Sequence, residues 1–172
     1  QITGLPYIIL KWAETDDGFI ARKDGSSKWI SNELSRILVH KWRSEEAGIL
    51  VGVNTANIDN PSLNVRSWKG RDPVRIVLDP NQKLKSKTKL LKDKGAVLIY
   101  NKEKNKKTNN KNFIQNKSFE LKHILRDILE KGIGSLIVEG GAKTLNNFIK
   151  EGFWDEARVF VSNKTFKEGI KD

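Results

Sequence analysis

The sequence predicts an α/β domain, a sheet covered on both faces by helices, and three observations predict it. Short apolar runs of strand length recur at residues 7–13, 48–53, 74–78, 96–100, 135–139 and 157–161. Amphipathic stretches of helical period lie between several of them. Most of the runs are apolar throughout rather than alternating, the pattern of strands buried on both faces.

Taken in order, residues 7–13 read as a strand, Asp16-Asp17-Gly18 as a turn, and residues 19–21 as a second short strand. Ser26-Ser27-Lys28 reads as loop. Ser31 or Asn32 can cap a helix running to about Arg43, because Leu34, Ile37, Leu38 and Trp42 fall at i, i+3, i+4 and i+8. A buried-type strand at 48–53 leads into a turn-rich segment, 54–62, and strands follow at 74–78 and, after Gly95, at 96–100. Ser118 is expected to cap the clearest helix, whose apolar face is Leu121, Ile124, Leu125, Ile128 and Leu129 and which Gly132 stops. A strand at 135–139 precedes a helix at 142–150 with Leu145, Phe148 and Ile149 inward, and 157–161 is the last strand.

The 172 residues correspond to one domain, and a hydrophobic content of 37% suffices for one core. The absence of Cys excludes disulfide scaffolds, thiolate zinc, iron–sulfur ligation and thiol nucleophiles. With two His, no metal site and no His-centred triad is expected. No apolar run approaches the ~18 residues of a membrane span and no signal peptide opens the chain, so the expectation is a cytoplasmic protein with no membrane partner. The chain begins with Gln1 and contains no Met. That suggests one domain over 1–172 excised from a longer chain, with a Lys/Asn-rich insertion at about 101–117.

Net charge is +11, and residues 83–122 carry +10 of it through 13 Lys and no Arg. Phe113 is the single aromatic of 101–117. Nucleic-acid surfaces mix Arg with Lys and supply stacking aromatics, so a solvated loop or edge is expected there and no nucleic-acid partner. A basic nucleic-acid-binding module is the rival from another class. Its binding would weaken steeply with salt.

Three clusters carry possible chemistry. In Val138-Glu139-Gly140-Gly141-Ala142 a buried strand ends on a carboxylate, two glycines follow and a helix begins. Such a helix N-terminus attracts phosphate, while the glycines by themselves equally suit a tight strand-to-helix turn. Glu139 favours a site, because open α/β sheets place their ligand crevice at strand carboxyl ends. There is no G-x-G-x-x-G run, and Ala142 stands where a P-loop needs glycine before Lys143-Thr144. In the second cluster Lys11 interrupts an apolar strand, either as an edge charge facing water or as a paired group. His40 and Arg43 share a helical face there, His40 reading as a structural hydrogen-bonder. The third runs from Asn54-Thr55 through Asp59-Asn60-Pro61 to Arg66, an ordinary turn signal taken by itself.

In this order and spacing the clusters resemble the reductase domain of the bacterial bifunctional riboflavin-biosynthesis deaminase/reductase, a relative of dihydrofolate reductase in fold. The matching residues are Lys11-Trp12-Ala13 with Asp17-Gly18, Ser27-Lys28-Trp29-Ile30, His40-Lys41-Trp42-Arg43, and Val51-Gly52-Val53-Asn54-Thr55. Asp59-Asn60-Pro61-Ser62-Leu63-Asn64-Val65-Arg66, Pro73 to Asp79, and Val138-Glu139-Gly140-Gly141-Ala142 with Trp154-Asp155-Glu156 complete them. Asn60 stands where the family commonly has a second Asp, and Pro80 where many members have a small polar residue at the cofactor.

The resemblance implies a dihydrofolate-reductase-like three-layer α/β/α fold with a mostly parallel central sheet, and a homodimer. It implies NADPH-dependent reduction of 5-amino-6-(5-phosphoribosylamino)uracil to the ribitylamino product, with hydride delivered to C1′ of the sugar. Ser27, Arg43, Leu63, Arg66 and Glu139 would hold the substrate, the two arginines forking onto its phosphate. Lys11, Asp59 and Glu139 would serve the chemistry. Ala13, Trp29, Thr55 and Asp59 would contact NADPH, and Gly141, Ala142, Lys143, Thr144, Leu145, Asn146 and Asn147 would receive its phosphates. The family's zinc deaminase half, with its H-x-E and P-C-x-x-C signatures, would precede Gln1 in the same polypeptide. The alternatives are a dihydrofolate-reductase-like reductase of another pyrimidine or pterin, and an inactive domain kept for dimerisation.

Overall fold

In the computed structural model, which describes residues 4–23 and 33–170, the aliphatic runs become strands of one eight-stranded sheet. The elements follow as β1 (Tyr7–Thr15), α1 (Glu33–Glu45), β2 (Gly48–Gly52), α2 (Val53–Ile58), β3 (Val74–Leu78) and α3 (Lys89–Lys92). Then come β4 (Val97–Asn101), β5 (Lys106–Thr108), β6 (Lys111–Gln115), α4 (Leu121–Glu130), β7 (Ser135–Val138), α5 (Ala142–Glu151) and β8 (Glu156–Ser162). The strand order is β5-β6-β4-β3-β2-β7-β1-β8, and every pair is parallel except β5 with β6. One core lies under α4 and α5, where Ile8, Leu10, Leu50, Ile76 and Leu136 meet Ile124, Leu125, Leu145 and Phe148. The other lies under α1, α2 and α3, built on Ile9, Ile49, Val51, Val77, Ile99 and Ile137. The expected three-layer, mostly parallel α/β architecture is therefore present.

The differences from expectation have local causes. Residues 19–21 form a single bridge, Ala21 with Ile170, rather than a strand. The turn after β1 curls back so that Thr15 accepts the Phe19 N–H, leaving one short partner. Helix α2 follows β2 at once and the turn begins only at Asp59, because Ala56 packs fully into the core. Ser118 does not cap α4: Glu120 occupies that position without a side-chain bond, and Ser118 Oγ accepts the Glu120 N–H at 3.4 Å. The Ser31 or Asn32 cap of α1 lies outside the described residues. The Lys/Asn-rich run is an edge hairpin, β5 and β6, pinned at its base by the buried Asn101 side chain, which accepts from the Glu103 and Lys104 N–H groups.

Helix α1 turns out half of the stripe expected to be inward, while Ile37 is half-buried and Trp42 packs against the core. Leu34 is 76% and Leu38 37% exposed, and the buried positions are Val39, His40 and Arg43. Ile149 of α5 is likewise exposed, Phe148 beside it taking the inward position. Replacing Phe148 by Ala should cost about 3–5 kcal/mol, whereas Leu34→Ala should stay within about 0.5 kcal/mol. Denaturant unfolding of the two variants checks both the buried and the exposed assignment.

Candidate active site

Strands β2 and β7 are neighbours whose outgoing connections leave in opposite directions. Chain leaving β2 enters α2 on one face of the sheet, and chain leaving β7 enters α5 on the other. The carboxyl ends of two such strands leave a crevice between the diverging loops. One hydrogen bond spans it: the Gly141 N–H donates to Thr55 Oγ1 at 2.9 Å.

The crevice floor is charged. Register sets Val138 opposite both Leu10 of β1 and Leu50 of β2, so Glu139 emerges one residue later, beside Lys11. Its N–H still bonds the Leu50 carbonyl at 2.9 Å. From α1, Arg43 donates to both carboxylate oxygens, Nε at 2.8 Å and Nη2 at 2.7 Å, in a bidentate pair whose side chains are 11% and 9% exposed. Burial pushes the Glu139 carboxyl up, but the cations Arg43 and Lys11 and the bonds from Arg43 bring it down to about 2. Glu139 is thus ionised at neutral pH and accepts only. Burial lowers the pKa of the Lys11 ammonium, and the opposing pull of Glu139 does not restore it. Lys11 lies 5.8 Å from the Phe160 ring centroid on an interior strand, so it is not an edge charge facing water.

Around this floor the connecting segments are tightly held. A Cβ at Gly52 would lie 2.5 Å from Thr144 Oγ1, and one at Gly140 2.7 Å from Thr144 Cβ. These two glycines therefore let the first turn of α5 pack against the end of β2. No side chain caps α5 at Gly141, and the first N–H groups of a helix have no partner within it. An uncapped N-terminus with the exposed Lys143 beside it suits an anionic group such as a dinucleotide's phosphates. Leu63, by contrast, has a left-handed backbone, φ 53°, with its side chain in the core. Such a conformation in a branched residue stores strain, and here it turns the chain so that the Asn64 carbonyl accepts from Arg43 Nη1 at 3.4 Å.

The sequence-predicted residues fall into distinct groups. Lys11, Arg43 and Glu139 meet on the crevice floor, and Thr55 and Asp59 lie on and just after α2. Ala13 is two residues beyond Lys11 on the same face of β1, in register with Phe160. The Arg43 fork, expected on a phosphate, is directed at Glu139, because a buried guanidinium needs an anion beside it. Arg66 is exposed at the rim, its Nη1 donating to Asn64 Oδ1 at 3.2 Å. Leu63 offers only backbone. Leu145 points into the core with its N–H taken by the Gly141 carbonyl. Ala142, Lys143 and Thr144 form the opening turn of α5, with Asn146 and Asn147 a turn further on. Ser27 and Trp29 lie outside the described residues. Asn64, which ties Arg43 to Arg66, was not singled out from the sequence. Its only signal was its place between Leu63 and Arg66.

A protein-family model described as the RibD C-terminal domain matches residues 6–166. The chain is 43% identical over 172 aligned residues to the riboflavin biosynthesis protein RibD of Aquifex aeolicus (strain VF5), covering 96% of this chain and 48% of that protein. Against the protein of the same name from Bacillus amyloliquefaciens it is 33% identical over 171 residues, covering 93% and 46%. Among solved structures it is similar, at TM-score 0.87 and 34% identity, to a Thermotoga maritima diaminohydroxyphosphoribosylaminopyrimidine deaminase/5-amino-6-(5-phosphoribosylamino)uracil reductase. That similarity covers 97% of this chain and 47% of the other. The chain therefore spans about half the length of the curated relatives it matches.

The ion pair makes a direct stability prediction. Glu139→Gln leaves Arg43 buried opposite a neutral amide and should cost about 3 kcal/mol, a melting point lower by roughly 10 °C. The wild-type carboxyl titrates in the fold at about 2 against an ordinary 4.5, so its contribution is complete above pH 4.5 and is lost as the pH falls towards 2. Melting curves of wild type and variant should therefore converge with acid.

Proposed function

The chain belongs to the RibD C-terminal domain family, and from that premise we propose that it reduces 5-amino-6-(5-phosphoribosylamino)uracil with NADPH to the ribitylamino product. The observation that carries this reading is the buried Arg43–Glu139 ion pair at the carboxyl end of β7, with Lys11 of the neighbouring β1 beside it and the uncapped N-terminus of α5 close by. Bound NADPH supplies the hydride that forms the new C–H bond at C1′, the sugar being presented as its ring-opened imine.

The protein's part is to hold, orient and manage charge. The opening turn of α5, at Gly141, Ala142, Lys143 and Thr144, receives the cofactor's phosphates, and Thr55, Asp59 and Ala13 line its path with Trp29. Arg66, the exposed arginine at the rim, meets the substrate's phosphate, and Ser27 and the backbone at Leu63 hold the sugar. Arg43 reaches the substrate through the oxygens it fixes on Glu139. Glu139, ionised, accepts hydrogen bonds from the sugar hydroxyls. Lys11 Nζ–H, made easier to deprotonate by burial, gives a proton to the imine nitrogen as the C–H bond forms, and solvent restores it.

No described helix is long and apolar enough to cross a membrane, in keeping with a cytoplasmic enzyme. The outer edge of β8, with Val159 and Val161 exposed, supports a homodimer. A deaminase, carried in the same polypeptide as in the Thermotoga protein, would supply the substrate.

The test is loss of reduced-nicotinamide absorbance on mixing protein, NADPH and the phosphoribosylaminouracil. Wild type should turn over, and Lys11→Met should lose at least ~100-fold in kcat while still binding NADPH. Arg66→Ala should raise the substrate KM ~10-fold with NADPH affinity unchanged. Absence of saturable NADPH binding by the wild type would overturn the reading. Turnover of an unphosphorylated pyrimidine, indifferent to Arg66→Ala, would favour a different substrate.

A further inference from the structure

His40 is 4% exposed, in the middle of α1, and no step above uses it. Its Nδ1 accepts a hydrogen bond from the Arg66 backbone N–H at 3.4 Å. One turn along, Arg43 donates through Nη1 to the Asn64 carbonyl while its other two contacts hold Glu139. Residues three apart on a helix share a face, so α1 grips the main chain on both sides of Val65. Leu63, anchored in the core, fixes the start of the same segment.

We infer that His40 is the positioning residue for Arg66: its neutral imidazole holds the Arg66 main chain, and protonation at Nδ1 removes that acceptor and releases the arginine from the substrate's phosphate. The inference rests on the reading that Arg66 meets the phosphate. The charged groups facing the imidazole are Arg43 on its own helix, Arg66 on the gripped segment, and Glu139 at the end of β7, already paired to Arg43. Burial, then Arg43 and Arg66, lower the imidazole below its ordinary 6.5, against the smaller opposing pulls of the Asn64 backbone and Glu139. The ring is thus neutral, and the grip closed, at and above that pH. As the pH falls through its lowered pKa, the grip opens.

The substrate's phosphate also titrates near pH ~6, so the comparison must cancel it. KM and kcat are measured between about pH 5 and 8 for wild type, His40→Asn and His40→Ala. Asn places an oxygen acceptor close to the Nδ1 position but does not titrate. At the upper pH, His40→Ala should raise the substrate KM about fivefold, with kcat held within about twofold, and His40→Asn should restore most of the loss. On acidification, the wild-type KM should climb about fivefold more than that of His40→Asn.

A kcat loss with unchanged KM, or the same acid profile in wild type and His40→Asn, overturns the inference. A second measurement needs neither turnover nor the alanine variant. In a proton–nitrogen correlation titration of the wild type, the Arg66 amide should shift with the His40 ring, and in His40→Asn that shift should vanish. An Arg66 amide indifferent to His40 ionisation overturns the inference even if the reductase reading stands. Failure of the wild type to reduce the substrate, with the amide shift present, counts against the reading of the site and not against the grip.

Discussion

The bidentate pair between Arg43 and Glu139 is the constraint on which the rest of the site depends. Two charges side by side under the surface cost several kcal/mol each in lost hydration, which their mutual attraction repays only when hydrogen bonds are also satisfied. Here both carboxylate oxygens and three guanidinium nitrogens are engaged. Meeting that geometry requires α1 to face the sheet with its polar side, and Leu34 and Leu38 turn outward as a result. Trp42 keeps an apolar contact by stacking on Phe160, 5.2 Å between ring centroids, at the edge of the same face. The helix is placed by electrostatics at its middle and by an aromatic contact at its flank.

From this pair the local chemistry follows. An ionised Glu139 gives Lys11 a counter-charge on the crevice floor, although burial still leaves the ammonium's pKa lowered. The same arginine reaches Asn64, and through it the segment bearing Arg66. On the opposite wall, Thr144 packs into the space left by Gly52 and Gly140. That contact brings the opening turn of α5 against β2, and the Thr55–Gly141 bond closes the junction. Charge organises one wall and close packing the other.

The excess of lysine belongs to a different part of the molecule. Strands β6 and β7 are four sheet positions apart, about 19 Å at the usual strand spacing, so the Lys/Asn hairpin is remote from the crevice. Its outer strand exposes Lys106, Lys107 and Thr108, and charged residues on an unpaired edge discourage pairing with another sheet. Lys111 is the exception: it is buried and donates to the Asp93 and Gly95 carbonyls. With Arg75, whose Nη2 lies 3.2 Å from Asp93 Oδ1, it ties the hairpin to β3 through the turn before β4. These cations are structural.

By itself, the sequence determined strands β1, β2, β3, β4 and β7 and the two helices α4 and α5, because burial on both faces of a sheet, or on one face of a helix, leaves a period that local reading recovers; the interior strand β6, within the Lys/Asn-rich run, leaves no such period. It also determined that a carboxylate ends one of those strands before a glycine pair, and so where a crevice would open. Tertiary structure alone decided which face of α1 is inward: the buried ion pair takes the central inward position, Leu34 and Leu38 turn out, and of the expected apolar stripe Trp42 keeps a core contact. It alone decided that the Arg43 fork meets a carboxylate, that Leu63 contributes backbone rather than side chain, and that Asn64 and His40 hold Arg66. For the bonds that Arg43 and His40 make, the cause is distance along the chain: those partners lie between 21 and 96 residues apart, and no local pattern records a bond closed only by the fold.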